Sequence, residues 1–180
     1  NMLRKHIKTE PLRWYYHCDR LGMLVWQDMI SGGQYIGQLL AGALPLFSIH
    51  VKDNKENMYK AFKRDEPEWR EEFRQELWGM IDNLYNCTSI CCWVPFNEGW
   101  GQFDAKEIGE KIKEIDPTRF VDHASGWHDQ KGPDFKSVHR YIAPVTPPTS
   151  FTRKGRPFVL SEYGGYSWNI QNHVWNAKRS

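Results

Sequence analysis

The spacing of apolar positions changes several times along the chain, and each change marks an element. Met23-Leu24-Val25-Trp26 is a short apolar run after Gly22, the pattern of a buried parallel strand. Ahead of it, Pro11 to Leu21 reads as a helix, with Pro11 in the first turn, Gly22 at the end, and Leu12, Tyr15, Tyr16 and Leu21 as its apolar contacts. Asn1-Met2-Leu3-Arg4 reads as a strand and its exit. Ser31 to Lys55 carries glycines and scattered apolar residues without a period, which predicts a long excursion. Glu66 to Asn86 is the clearest helix, because Trp69, Phe73, Leu77, Met80, Ile81 and Leu84 recur at helical spacing with charges between them. Ser89 to Phe96 is apolar on both faces, as an inner parallel strand should be. Asp104 is expected to cap the next helix with Glu107 completing a capping box. Ile108, Ile112 and Ile115 are expected to form that helix's buried stripe, and Asp116-Pro117 to end it. Arg119 to Asp122, Phe135 to Arg140 and Pro157 to Leu160 read as further strands, and the prolines between Ala143 and Thr149 predict a stiff loop.

Alternating strands and helices imply an α/β fold with a parallel sheet and right-handed crossovers, built on about six strands. In such folds chemistry gathers at the carboxyl ends of the strands. Arg4, Asp28, Asn97, Glu98, Tyr141 and Glu162 all fall at those ends.

Composition narrows the partners. Lys and Arg total 24 against 22 Asp and Glu, a net charge of +2 that gives no electrostatic reason to expect nucleic acid or an anionic membrane. No apolar run approaches the roughly 18 residues of a membrane span. Nine Trp, eight Tyr and nine Phe are many for 180 residues. Aromatic faces stack on the apolar faces of sugar rings, although most such rings in any protein are core. Cys18, Cys87, Cys91 and Cys92 form no zinc-type pairs, and the adjacent Cys91 and Cys92 read as buried thiols, which points to a reducing, cytoplasmic compartment.

Glu98 and Glu162 each follow directly on an apolar strand. Two carboxyls at the mouth of a parallel barrel can flank a glycosidic bond, one giving a proton to the leaving oxygen while the other attacks the anomeric carbon. Retention of configuration needs them about 5–5.5 Å apart. Position alone leaves helix capping or an ion pair as an equal alternative. Gly99-Trp100-Gly101 after Asn97-Glu98 favours the chemical role, since the glycines permit a sharp turn and the Trp offers a stacking face.

Four segments carry a specific resemblance. They are Asn1-Met2-Leu3-Arg4, the run from Tyr16 to Trp26, Val94-Pro95-Phe96-Asn97-Glu98, and Phe158-Val159-Leu160-Ser161-Glu162-Tyr163-Gly164. In this order they resemble the central (β/α)8 TIM barrel of glycoside hydrolase family 2, the β-galactosidase, β-glucuronidase and β-mannosidase family. The resemblance implies that residues 1–180 are part of the catalytic barrel, with the family's N-terminal β-sandwich domains absent from the chain. It implies a retaining β-glycosidase acting on terminal β-linked sugars by double displacement. Glu98 would be the acid/base and Glu162 the nucleophile. Asn97 would bind the sugar 2-hydroxyl, Tyr141 would stand beside the nucleophile, and Arg4 would hold Glu162 ionised. Arg4 is then expected to depress the Glu162 pKa, and an apolar wall with a second negative charge to raise that of Glu98.

Trp100 and Trp168 are the stacking candidates. Trp127 is a candidate for the sugar pocket, with packing in its own loop as the competing role. Asp28 either holds a sugar hydroxyl or is a buried strand-end acid, and His139 reads as a structural hydrogen-bonder. The chain departs from the family pattern in having Ile7 where many members carry a His, with His6 one place earlier, and Gln27-Asp28 where an acidic pair is common. It also lacks the Glu-x-His of some β-galactosidases, so no metal and no cofactor is expected. A full barrel has eight strands and about 250 residues. The resemblance therefore implies the rest of the parent polypeptide as a partner besides the carbohydrate substrate, with assembly into a homo-oligomer left open. Two other readings remain at this stage: an endo-acting retaining β-glycanase of the mannanase or cellulase kind, and a catalytically silent carbohydrate-binding barrel.

Overall fold

The computed structural model describes residues 1–141 and 155–164. Its strands are β1 (Met2–Lys5), β2 (Leu24–Asp28), β3 (Ile90–Val94), β4 (Phe120–Val121), β5 (Lys136–Arg140) and β6 (Phe158–Tyr163). β1 to β4 lie side by side in chain order, and every pair is parallel. β5 and β6 form a second parallel pair. An isolated parallel bridge between Asn97 and Ser125 carries the β3–β4 contact beyond the strands themselves. Helices α1 (Leu12–Leu21), α4 (Pro67–Leu84) and α5 (Ala105–Ile115) supply the crossovers of the first sheet. Parallel neighbours in chain order joined by helices are the wall of a (β/α) barrel. The stiff loop expected between Ala143 and Thr149 lies outside the described residues.

β3 explains its own composition. Trp93 is fully buried in the layer between sheet and helices, together with Tyr15, Leu77, Ile81, Ile108 and Ile112. Cys92 and Val94 point to the other face and pack with Phe135, against Trp26 and Val159. A strand buried on both faces has no polar alternation to show. Trp93 Nε1 donates to Asp116 at 2.8 Å, and Asp116 also accepts from Arg119 at 2.6 Å, which fastens the end of α5 to the sheet.

Several expected contacts differ. In α1 it is Tyr15 and Cys18 that are buried, while Leu12, Tyr16 and Leu21 are exposed. Helical geometry puts Tyr15 and Cys18 three residues apart on the sheet-facing side. Trp69 and Ile115 are also exposed, at the ends of stripes that are otherwise buried. The expected Asp104–Glu107 capping box does not form. Asp104 takes a left-handed conformation with φ at 44°, and its carboxylate accepts instead from Tyr59 Oη at 2.7 Å and Arg74 Nη2 at 3.0 Å. The N-terminus of α5 is satisfied from a distance, because Asp53 accepts from the Ala105 N–H at 3.1 Å.

The long excursion contains a π-helical turn (Leu39–Ala43) running into α2 (Leu44–Leu46), and α3 (Glu56–Ala61) follows it. His128 pins the excursion, with its Nε2 2.9 Å from the Leu40 carbonyl and its Nδ1 accepting from the Val51 N–H. Among the described residues no helix is long and apolar enough to cross a membrane.

Candidate active site

The parallel register brings chemistry-bearing side chains to one end of the sheet. Arg4 on β1 lies opposite Trp26 on β2, Asp28 opposite Val94 on β3, and His139 on β5 opposite Glu162 on β6. Arg4 is the hub. Its Nε and Nη2 donate to the two oxygens of Asp28, each at 3.0 Å. Nη2 also donates to Asn97 Oδ1 at 2.8 Å, and Nη1 to Glu162 Oε1 at 2.6 Å. Asp28 is fully buried, and it also accepts from the Ile7 N–H at 3.1 Å. Burial pushes the Asp28 pKa up, against the opposing pull of Arg4. The guanidinium fork thus engages both oxygens of this buried strand-end acid.

Glu98 stands just past β3, with φ at 50°. Its N–H donates to the Ser125 carbonyl at 2.9 Å, which holds this left-handed residue against the end of β4. Gly99 and Gly101 follow with positive φ, so the chain turns away sharply after the carboxyl. Tyr141 Oη lies between the two acids, 2.5 Å from Glu98 Oε1 and 2.6 Å from Glu162 Oε2, so its single proton serves one carboxylate at a time. Burial and the two carboxylates it faces raise the Tyr141 pKa far above that of a free phenol. His139 Nδ1 lies 2.9 Å from Glu98 Oε1. A carboxylate oxygen from each of Glu98 and Glu162 and a ring nitrogen of His139 all fall within 4.8 Å of one another. The Arg4 cation 2.6 Å from Glu162 and the donors on Glu98 already serve these groups.

The expected rise in the Glu98 pKa is not found. Burial does push it up, but hydrogen bonds from His139 and Tyr141 outweigh burial, and the Glu98 pKa is lowered. The wall around this acid is a set of donors and not the apolar surface expected.

Arg4, Asp28, Asn97, Glu98, Tyr141 and Glu162 are thus joined in one network. Trp100 joins it only through its backbone, its N–H donating to the Asn97 carbonyl at 3.0 Å, while its ring lies 5.4 Å from that of Tyr35 on the excursion. Trp127 is half-buried beside the turn at Gly126, and among the described residues it makes no hydrogen bond or ring contact with the acids. Trp168 falls outside the described residues. His6 belongs to the site, with Nε2 3.2 Å from Asn97 Nδ2 and 3.8 Å from Glu162 Oε1. Its signal in the sequence was its displacement from the expected position. His139 is the larger addition, and a buried polar residue at the end of a strand was its only sign.

The model of the TIM barrel domain of glycosyl hydrolases family 2 matches residues 6–173. The chain belongs to that family. The parallel strands and intervening helices are accordingly part of the family 2 barrel. No curated protein matches the chain in sequence. Among solved structures it is similar to the apo form of β-glucuronidase 3 from Bacteroides uniformis, with 18% identity over 67% of this chain and 13% of that one and a TM-score of 0.44. It is similar to the β-glucuronidase of Parabacteroides merdae with glycerol in its active site, with 18% identity over 67% of this chain and 13% of that one and a TM-score of 0.43. A further crystal structure of the Parabacteroides merdae β-glucuronidase gives 16% identity over 77% of this chain and 16% of that one, with a TM-score of 0.44. The family 2 chain described here therefore spans only 13% to 16% of the length of these relatives.

Proposed function

We propose that this family 2 domain is the catalytic barrel of a retaining β-glycosidase that removes terminal β-linked sugars by double displacement. The observation that carries the reading is the pairing of Glu98 and Glu162. One carboxylate oxygen of each lies no more than 4.8 Å from one of the other. That spacing suits the roughly 5–5.5 Å of a retaining pair, whereas an inverting pair needs about 6.5–9.5 Å to admit a water. The partners of the two acids differ in the sense the roles require. Glu162 is gripped by the permanent cation of Arg4, which suits a nucleophile that must stay charged. Glu98 has no such cation among the described residues, and its partners are the His139 ring and the Tyr141 hydroxyl.

In the first step Glu162 attacks the anomeric carbon as the C1–O bond breaks, and Glu98 gives its proton to the leaving oxygen. In the second step Glu98, now a carboxylate, takes a proton from water as that water displaces Glu162. The lowered pKa of Glu98 suits this base step. The acid step takes place with a sugar ring between the carboxyls, where displaced water raises the pKa of Glu98 again. Asn97, held by Arg4 at one end of its amide, presents the other end for the sugar 2-hydroxyl. On this reading residues 1–180 work within a longer polypeptide that supplies the remaining strands and the family's β-sandwich domains, and an isolated 180-residue piece is poorly active.

The test is stereochemical. Hydrolysis of an aryl β-glycoside by the full-length protein, followed by proton NMR before mutarotation, should release the β-anomer first. Release of the α-anomer would overturn double displacement.

A further inference from the structure

Glu98 is held by a side chain that the reaction above does not use. His139 is buried, and its ring lies where a Cβ on Gly126 would fall, 2.4 Å from His139 Cγ and Nδ1. Gly126 has φ at 84° and so suits glycine twice over. The ring thus has a fixed slot, with Nδ1 2.9 Å from Glu98 Oε1 and Nε2 3.2 Å from Ser125 Oγ. Behind it sits a buried hydroxyl cluster, in which Ser125 Oγ lies 3.3 Å from Ser161 Oγ and 3.5 Å from Ser137 Oγ, and Ser137 and Ser161 lie 2.5 Å apart. Hydroxyls can give or accept a proton, so this cluster satisfies Nε2 in any state of the ring.

We propose that His139 is a positioning residue for the acid/base, keeping a proton on Nδ1 aimed at Glu98 Oε1 while Ser125 and the serines behind it hold the ring in place. The inference rests on the reading of Glu98 given above. Its consequence is that His139 favours the carboxylate of Glu98, readying it for the base step and setting the pH at which the free enzyme loses its acid. Glu98 accordingly holds its proton less firmly than an ordinary glutamate despite its burial. The charged and titratable groups around the ring are known from each element packed on it. They are Glu98 beyond β3, Asp122 buried beyond β4, Tyr141 beyond β5, and Glu162 on β6 at 3.5 Å from Nε2. Arg4 and His6 reach that same Glu162 oxygen, at 2.6 and 3.8 Å. Asp122 is sealed from solvent with neither oxygen hydrogen-bonded, and burial pushes its pKa up against the weaker opposing pull of the nearby Ser137 and Ser125 hydroxyls.

Two amides separate the two ends of the ring. Asn at this position puts a donor where Nδ1 stands and gives up the contact with Ser125, whereas Gln puts one where Nε2 stands and abandons Glu98. In the full-length enzyme the alkaline limb of kcat/KM should stay with the parent in His139→Asn. It should move up by about one pH unit in His139→Gln and His139→Ala, the size of one lost charge-assisted hydrogen bond. A merely structural role lowers activity at all pH values and leaves the limb in place. A limb that stays fixed in Gln and Ala, or one that moves in Asn and not in Gln, overturns the proposal. Should the His139 variants not fold, Ser125→Ala, which touches neither carboxylate, should move the limb the same way by a smaller amount, and a fixed limb there overturns it equally. Glu98→Ala assayed in parallel on an activated aryl glycoside should be rescued by azide to give a β-glycosyl azide. Azide rescue together with a fixed limb sinks the role of His139 alone, whereas absence of rescue sinks it together with the assignment of Glu98.

Discussion

Replacing Arg4 by Lys isolates what the guanidinium fork does beyond its charge. Arg4 makes four hydrogen bonds to three side chains: two to Asp28, one to Asn97 and one to Glu162. An ammonium is a single point donor on a flexible stem and cannot face all three at once. The buried Asp28 is the stronger claimant, because it is almost wholly shielded from water and would otherwise be an unpaired buried charge. Lys should therefore go to Asp28, and Glu162 should lose its charge-assisted bond. Such a bond contributes about 1.5–3 kcal/mol. If that interaction is felt in the transition state, kcat/KM for an aryl β-glycoside should fall about 10- to 150-fold. Thermal stability should change little. Arg4→Met should behave differently, since it leaves Asp28 uncompensated and should cost about 3–5 kcal/mol of stability. The assays are steady-state kinetics and thermal unfolding of both variants in the full-length protein. An Arg4→Lys enzyme within about threefold of the parent, a difference under 1 kcal/mol, would refute the idea that the fork organises the site.

Two further outcomes follow from the packing and the charges. Gly126→Ala should destabilise by about 1–3 kcal/mol through a strained φ and a clash with His139, and by less on a His139→Ala background, as a double-mutant cycle in urea would show. Asp116, buried and lowered to about 2 by bonds from Thr118, Arg119 and Trp93 that outweigh its burial, contributes about 2 kcal/mol that is complete above its ordinary 3.8 and lost as pH falls toward about 2. Asp116→Asn should remove that acid sensitivity, read as the pH dependence of the thermal midpoint between pH 5 and pH 2, and an unchanged dependence would refute it.

The parts of the fold legible in the sequence are those where one signal dominates. α4 and β3 announce themselves through an unbroken apolar stripe and an unbroken apolar run. The inward face of α1 is not legible in the sequence, because Leu12, Tyr16 and Leu21 look as apolar as Tyr15, and only the sheet decides which side is covered. The cap of α5 is hidden from the sequence because its donor is met by Asp53, far back in the chain, while Tyr59 and Arg74 claim Asp104. The site divides in the same way. Arg4, Asp28, Asn97, Glu98, Tyr141 and Glu162 could be picked out because parallel strands deliver their last residues to one place. The serines around His139 stand at 125, 137 and 161 with no common spacing, and only the pairing of β5 with β6 and the close approach to β4 brings them together. The direction of the Glu98 shift depended on those same partners, and so could not be read from its neighbours in sequence.

The assignment of Glu162 as nucleophile is tested most directly by trapping. The full-length protein should be incubated with a panel of activated 2-fluoro β-glycosides and digested, and the labelled peptide sequenced by mass spectrometry. The account predicts one sugar attached at Glu162, from the member of the panel whose parent glycoside the enzyme hydrolyses. A label on any other carboxylate, or turnover of that glycoside with no covalent adduct formed, would contradict it.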